Sequence, residues 1–331
     1  SGGRAYQMLG FIDDDDDKHG FNVHGIPILG GRAQLLELVV LHKVDLIVLA
    51  IHAIAGNEFR EILSVCQNAP ARIQIVPDVF EELATSANKS LLRDVTVDDF
   101  LGRSPAEIDI EVCRGMLQGS TVLVTGGAGS IGTELCRQAL AFDAKLVVAV
   151  DMNETGLYEL QAETSMINSQ CNLNVCVADV TDSEQVAEIF ERYRPEVVFH
   201  TAAYKHVPLM ELHPRVALRT NVLGTLNVGL SAREVGAERF VLISTDKAVE
   251  PASIYGVTKL IAEQVTAGLA VESSDTLFAC VRFGNVLGSR GSVVPLFEKQ
   301  IESGGPITVT HPDITRFYMT IPEAVRLVIQ A

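Results

Sequence analysis

Two short clusters in this chain carry side chains able to move protons. Val241-Leu-Ile-Ser-Thr-Asp-Lys247 is an apolar run that ends in polar residues, and ten residues beyond Thr245 comes Tyr255-Gly-Val-Thr-Lys259. On a helix, Tyr-x-x-x-Lys puts both side chains on one face, one turn apart. An ammonium beside a phenol stabilises phenolate and lowers a pKa that is otherwise near ~10. Tyr255 is therefore a candidate general base toward a substrate hydroxyl, with Thr245 sharing its hydrogen bond and Lys259 supplying the charge. Alone, Tyr-x-x-x-Lys is usually structural. A nucleotide-binding pattern upstream lifts it above that.

That pattern is Thr125-Gly-Gly-Ala-Gly-Ser-Ile-Gly132, which follows an apolar run and opens an amphipathic one. Gly126, Gly129 and Gly132 allow a tight turn, close approach of backbone N–H groups to a pyrophosphate, and close helix-to-strand packing. Ser130 and Ile131 start the helix whose N-terminus would face the phosphates. Asp151 ends the next strand, 19 residues after Gly132, where a carboxylate accepts hydrogen bonds from an adenosine ribose diol. A 2'-phosphate would meet like charge there, so NAD is favoured over NADP, and its positive nicotinamide ring would act together with Lys259 in stabilising the Tyr255 phenolate. Asp179 and Val180 follow the third strand, at the adenine end. Ala202 and Ala203 follow the fourth, where small side chains leave room for the cofactor.

The elements needed to hold these groups are legible as periodicity. From Thr121 onward, apolar runs alternate with amphipathic ones: strands over 121–125, 145–151, 173–179, 196–201, 239–245, 277–283 and 307–310, and helices over 130–142, 157–167, 183–193, 214–235, 253–269, 293–302 and 322–329. Strands apolar throughout and separated by helices predict a doubly wound parallel sheet of the Rossmann type. Residues 1–90 predict a smaller α/β domain, with strands at 7–12, 25–29, 45–51 and 72–76 and helices at 33–42, 58–67 and near Val79. Residues 91–118, with Gly102, Arg103, Ser104 and Pro105, read as a linker before a catalytic domain at 119–331. The last helix is apolar and ends with the chain, which reads as a truncated end. The acidic run Asp13 to Asp17 reads as a solvated turn rather than a metal site.

Composition narrows the partners. The 331 residues carry 26 Lys plus Arg against 42 Asp plus Glu, a formal charge of −16. That balance repels nucleic acid and anionic lipid, so any bound phosphates need local devices. The six cysteines are scattered with no metal-ligand spacing, and Cys171 with Cys176 reads as two ordinary thiols, which fits a reducing, cytoplasmic setting. No metal is expected. No run approaches the ~18 apolar residues of a membrane span, Ser1 to Gly10 is no signal peptide, and the chain as given is expected to be soluble.

Taken together, these motifs resemble the extended short-chain dehydrogenase/reductase superfamily, and within it the CapD-type polysaccharide-biosynthesis proteins, nucleotide-sugar 4,6-dehydratases. The resemblance rests on Thr125–Gly132, His200-Thr-Ala-Ala-Tyr-Lys-His206, Ser244-Thr-Asp-Lys247, Tyr255-x-x-x-Lys259, Arg282-Phe-Gly-Asn-Val-Leu-Gly288 and Thr315-Arg-Phe317, and covers about 120–331. It implies NAD-dependent oxidation of a sugar at C4, elimination of water across C5 and C6, and return of the hydride to C6. Lys247 matches the family's base for the C5 proton, and Asp246 the acid that protonates the departing hydroxyl. Lys247 would need to be substantially neutral, helped by Lys259, oxidised nicotinamide and burial, and Asp246 protonated, which burial promotes and a cationic neighbour opposes. Many long relatives carry Met where Tyr255 stands, so inversion and retention at C5 both stay open.

The same resemblance assigns substrate contacts. Asn285, Arg290, Ser292 and Arg316 would hold the diphosphate and nucleoside, and Lys205 and His206 would position the sugar or order the catalytic lysine. Asn221 is expected to tie its helix to the sheet rather than catalyse. UDP-N-acetylglucosamine is the implied substrate and a homo-oligomer the expected assembly. Residues 1–110 resemble the N-terminal domain of the long members, which implies a full-length protein tethered to the cytoplasmic face of the bacterial inner membrane. A nucleotide-sugar 4-epimerase is the alternative: it needs Thr245, Tyr255, Lys259 and NAD, but not the Asp246-Lys247 pair. A non-catalytic NAD sensor would need neither Tyr255 nor Lys259.

Overall fold

A computed structural model describes residues 6–51, 56–76, 93–94, 109–167, 172–272 and 275–331. The chain divides into two compact units, Ser1–Pro105 and Ala106–Ala331.

The second unit is built on strands β7 (Thr121–Thr125), β8 (Leu146–Asp151), β9 (Leu173–Val177), β10 (Val197–His200), β11 (Arg239–Thr245) and β12 (Leu277–Phe283). They form one six-stranded sheet in the order β12-β11-β10-β7-β8-β9, every pair parallel. This is the doubly wound Rossmann arrangement, and the order reverses between β7 and β10, the crevice where such sheets bind ligands. Both faces are covered, which explains why the strands lack polar alternation. On one face Val122, Val124, Val147, Ala149, Phe199 and Val241 meet Leu135, Cys136, Val325 and Val328. On the other, Leu123, Val148, Val198, Phe240 and Leu242 meet Val186, Phe190, Val228, Ala232 and Ala262. Each Val, Leu or Phe among them contributes about 1.5–3 kcal/mol on burial.

The covering helices are α3 (Ile110–Leu117), α4 (Ser130–Ala141), α5 (Glu154–Ile167), α6 (Ser183–Tyr193), α7 (Val207–Leu212), α8 (Pro214–Leu218), α9 (Gly224–Glu234), α10 (Ile254–Glu272), α11 (Val293–Glu302) and α12 (Ile321–Gln330). Three expectations need correction. The linker reading fails over 110–117, where α3 forms: Asp109 caps it through Glu111 N and Val112 N, and Cys113 and Leu117, four apart, are buried. The expected helix over 214–235 is interrupted by a π-helical turn, Arg219–Leu223, in which Gly224 N–H reaches back to Arg219 O. No strand forms over 307–310, because the Gln300 side chain takes the Thr308 backbone amide at 3.0 Å. Instead β13 (Asn285–Val286) pairs in parallel with β14 (Tyr318–Met319). Cys171 lies outside the described residues.

In the first unit, β1 (Phe11–Ile12), β3 (Ile26–Gly30) and β2 (Asn22–Val23) form one small sheet, and β4 (Leu46–Leu49), β5 (Arg72–Ile75) and β6 (Arg93–Asp94) another. Leu35 and Val39 of αN1 (Leu35–His42) and Leu63 and Cys66 of αN2 (Gly56–Gln67) pack with Ile47, Leu49 and Ile75. The strand expected over 7–12 shrinks to its last two residues. In the acidic run, Asp13 pairs with Lys18 at 2.9 Å and Asp14 accepts from Arg32 N at 2.8 Å. Those carboxylates thus hold a turn together. The helix expected near Val79 and the turn signals Gly102, Arg103, Ser104 and Pro105 lie outside the described residues. Among the described residues, no helix is long and apolar enough to cross a membrane.

Candidate active site

The β7–α4 turn is shaped by what cannot fit. Gly126 has φ +69°, and a Cβ there would lie 2.7 Å from Ala202 N. A Cβ on Gly132 would lie 2.1 Å from Gly126 O. Gly129 is the N-cap of α4 and has no capping side chain, so the amides of Ser130, Ile131 and Gly132 have no intrahelical acceptor. Asp151 stands beside this turn: its Oδ2 accepts from Ala128 N at 3.0 Å and its Oδ1 from Asn153 N at 2.9 Å. Each oxygen keeps a lone pair for a further donor. A cradle of free amides at a helix N-terminus with a carboxylate at its rim fits a dinucleotide.

The rest of the expected cofactor set is more mixed. Asp179 Oδ1 accepts from Thr181 N at 2.9 Å. The Val180 side chain turns into the core, and its carbonyl accepts from Asn227 Nδ2 at 3.0 Å. Ala202 and Ala203 are half-buried just past β10.

On the far side of the switch point, Thr245 ends β11 and caps a short 3-10 turn, Asp246–Ala248. Thr245 Oγ1 donates to Asp246 Oδ1 at 2.9 Å, and Lys247 Nζ donates to the same oxygen at 3.0 Å and to Asn285 Oδ1 at 3.0 Å. Asn285, expected on the substrate, thus also orients Lys247. Burial pushes the Asp246 carboxyl up, but hydrogen bonds from Lys247 and Thr245 outweigh it and hold it below the usual range. The protonated Asp246 expected from the sequence is therefore not the resting form. Nor is Lys247 deeply buried, since 36% of its side chain is exposed.

Tyr255 and Lys259 stand one turn apart on α10. Burial pushes the Tyr255 phenol up, against a hydrogen bond with Thr245 that pulls it down. Lys259 is 3% exposed, and burial brings it down to about 8. The Asp246 carboxylate adds to the upward push on Tyr255, so within the chain itself burial and a like charge outweigh the Thr245 hydrogen bond.

The expected substrate residues divide. Arg290 is bonded within the chain: its backbone N–H donates to Ser130 Oγ at 3.0 Å, its Nη1 to Ala128 O at 3.0 Å, and its Nη2 lies 3.3 Å from Glu159 Oε2. The guanidinium thus lies against the glycine turn. Ser292 caps α11 without a side-chain bond, and its Oγ is buried without a partner. His206 caps α7, and its ring abuts Gly291. Lys205 is exposed just before it. Arg316 is exposed and donates to Thr315 O at 2.7 Å, directly before Phe317, whose carbonyl accepts from Asn285 N at 3.0 Å.

Sequence reasoning missed a buried chain of hydrogen bonds under the site. His200, at the end of β10, bridges Thr125 Oγ1 at 2.7 Å and Thr225 Oγ1 at 3.0 Å. Thr225 donates to Asn221 O at 2.7 Å. Asn221, fully buried in the π turn, accepts from Tyr204 N and donates to Tyr204 O and Thr258 Oγ1, and Thr258 donates to Tyr255 O at 2.8 Å. Asn221 thus ties its helix down, as its sequence context suggests. Burial drops His200 to about 3, with Lys259 adding to the effect. Polar residues inside apolar runs were the available signal.

Known proteins bear on this geometry. Residues 122–331 match the polysaccharide biosynthesis protein family, and residues 3–77 match a family described as a CoA-binding domain. The chain is 44% identical over 324 residues to the probable polysaccharide biosynthesis protein EpsC of Bacillus subtilis, covering 98% of this chain and 54% of that protein. It is 42% identical to the capsular polysaccharide biosynthesis protein CapD of Staphylococcus aureus, covering 97% and 54%. It is 34% identical to a UDP-N-acetylglucosamine 4,6-dehydratase (inverting) of Campylobacter jejuni, covering 65% and 64%. The chain thus spans about half the length of EpsC and CapD. Among solved structures, Pen from Bacillus thuringiensis aligns with TM-score 0.62 at 37% identity, covering 65% of this chain and 67% of that one. The UDP-glucose 4-epimerase of Thermus thermophilus, solved with NAD, aligns with TM-score 0.53 at 26% identity, covering 61% and 71%. The glycine turn, the six-stranded sheet and the match over 122–331 lead to one assignment: this chain belongs to the polysaccharide biosynthesis protein family.

Proposed function

We propose that this chain is an NAD-dependent nucleotide-sugar 4,6-dehydratase acting on UDP-N-acetylglucosamine. The observation that carries the reading is the hydrogen-bonded set Thr245, Asp246, Lys247 and Asn285 beside Tyr255. It holds an acid and a base that simple C4 oxidation and reduction do not need.

The glycine turn, the first amides of α4 and Asp151 would hold NAD. When bound, it supplies a hydride acceptor at C4 that is regenerated by return of the hydride to C6. With the bound cofactor's positive ring added to the Lys259 charge and the Thr245 hydrogen bond, Tyr255 would release its proton to solvent, and as phenolate it would then take the C4 hydroxyl proton. The C4 ketone acidifies the C5 proton. Asp246 and Lys247 then need to be neutral, although the resting pair is ionic at 3.0 Å. Moving one proton from Lys247 Nζ to Asp246 Oδ1 makes both the base and the acid, and exclusion of water by the bound sugar favours that neutral pair, because an ion pair loses its solvation there. Lys247 takes the C5 proton and Asp246 protonates the C6 hydroxyl as it leaves as water; when the hydride goes back to C6, C5 takes up one proton, which the proton that Tyr255 took from the C4 hydroxyl makes good, and the Asp246–Lys247 pair is left in its ionic form.

Arg316 and Ser292 would hold the diphosphate side of the substrate, while Lys205 and His206 lie beside the sugar. The whole protein would be a homo-oligomer on the cytoplasmic face of the membrane. Proton NMR of UDP-N-acetylglucosamine incubated with the protein tests the reading: a new C6 methyl doublet is expected, whereas a galacto-configured signal would make the protein a 4-epimerase. Lys247→Ala should still bind NAD and lose dehydration by at least ~100-fold. Undiminished turnover would remove Lys247 from the mechanism.

A further inference from the structure

Tyr255 and Lys259 occupy consecutive turns of α10, and the next turn carries Glu263. Only 11% of the Glu263 side chain is exposed. Its Oε1 accepts from the Ser244 hydroxyl and from Arg282 Nε at 2.8 Å, and its Oε2 accepts from Arg282 Nη2 at 2.5 Å. Ser244 and Arg282 stand opposite each other in the β11–β12 register, and Ser244 directly precedes Thr245. One carboxylate therefore joins the helix bearing Tyr255 and Lys259 to the strand that delivers Thr245, Asp246 and Lys247.

A tie of this kind needs no charge, since a neutral amide could span the same gap. What makes the charge matter is its neighbour. A buried ammonium requires a fixed counter-charge, and Glu263 is the acid on the Lys259 face of α10, four residues on. The other groups facing Lys259 are neutral near pH 7. Burial holds the His200 imidazole on β10 and the Tyr255 phenol on α10 uncharged, and pushes the Cys280 thiol on β12 up. Arg282 meets Glu263 from β12 with a two-pronged contact, so the carboxylate that Lys259 feels is already partly neutralised.

We propose that Glu263 is a positioning residue for proton transfer by Tyr255. Pinned by Ser244 and Arg282, it is the fixed counter-charge of the Lys259 ammonium, and Arg282 sets how much of that charge Lys259 feels. The proposal rests on the assignment of Tyr255 and Lys259 as the proton-transfer pair.

The two partners of the clamp make opposite predictions, which a purely structural tie does not. Lys259 titrates at about 8 in the intact site. Glu263→Gln removes the counter-charge and should lower that midpoint by about one pH unit, while Arg282→Gln strips the carboxylate of its neutraliser and should raise it by about half a unit. The readout is carbon NMR of isotopically labelled lysine side chains in the free protein, with the Lys259 signal assigned from Lys259→Arg. Both variants should unfold at lower temperature, since both break the tie. A lowered midpoint in E263Q together with a raised one in R282Q supports the proposal, and any other pair of shifts, or none, overturns it. Should E263Q fail to fold, R282Q decides alone: a raised midpoint supports, an unmoved or lowered one overturns. Because no substrate is present, the result is independent of whether the protein dehydrates or epimerises its sugar.

Discussion

The two sides of the crevice are made by different means. On the β7–β8 side, geometry comes from the backbone: absent Cβ atoms at Gly126 and Gly132, free amides at the start of α4, and a carboxylate held by Ala128 N and Asn153 N. On the β11–β12 side it comes from side chains, with Thr245, Asp246, Lys247 and Asn285 holding one another and Glu263 holding Ser244 and Arg282. Backbone-made geometry is broken by adding atoms. Side-chain geometry is broken by changing charge.

His200 joins the two sides, touching Thr125 on one and the Thr225–Asn221 chain on the other, so acid tests the seam. Its pKa in the fold is about 3 against an ordinary 6.5. The unfolded chain therefore takes up a proton below pH 6.5 that the fold refuses, and stability falls as pH drops from 6.5 toward 3, by as much as about 4 kcal/mol from this group. Urea midpoints measured against pH should show that slope, and His200→Gln should flatten it. An equal slope in the variant would move the seam elsewhere.

Gly132→Ala is the next largest test. The added methyl would sit against Gly126 O, so the turn must open and NAD affinity should drop ~100-fold by calorimetry, a loss of about 3 kcal/mol. Retained affinity would mean that the cradle is not set by backbone approach. Arg316→Ala should be the mildest. Exposed, with its guanidinium donating to the neighbouring Thr315 O, Arg316 should leave the urea midpoint within about 0.5 kcal/mol and NAD affinity unchanged on replacement, while the KM for the nucleotide sugar rises several-fold. A comparable loss of NAD affinity would blur the division between the two sides.

The backbone-made side was the more legible. A glycine pattern between a strand and a helix is local in sequence, and so is an acid ending the next strand, which is why Gly126, Gly132 and Asp151 fall where their spacing puts them. The buried strands were readable for the same reason. The side-chain side depends on pairs distant in the chain. Glu263 gains its meaning from Ser244 and Arg282, neighbours only through strand register, and His200 gains its own from Thr125 and Thr225. Arg290 likewise meets the Ser130 hydroxyl and the Ala128 carbonyl, partners far from it in the chain. The run at 307–310 looked extended, yet the competing donor and acceptor of one glutamine could not be foreseen from apolar alternation.

The π turn at Arg219–Leu223 has a consequence for mutational tolerance. It accommodates one more residue than an α-helical turn would, and beyond it every position is rotated by about 100° relative to an unbroken helix. Asn221 and Thr225 reach their separate partners because of that offset. Removing a single amino acid from 219–223 would leave a smoother, more regular rod whose downstream face points the wrong way, so a shorter helix here would be better formed and worse attached.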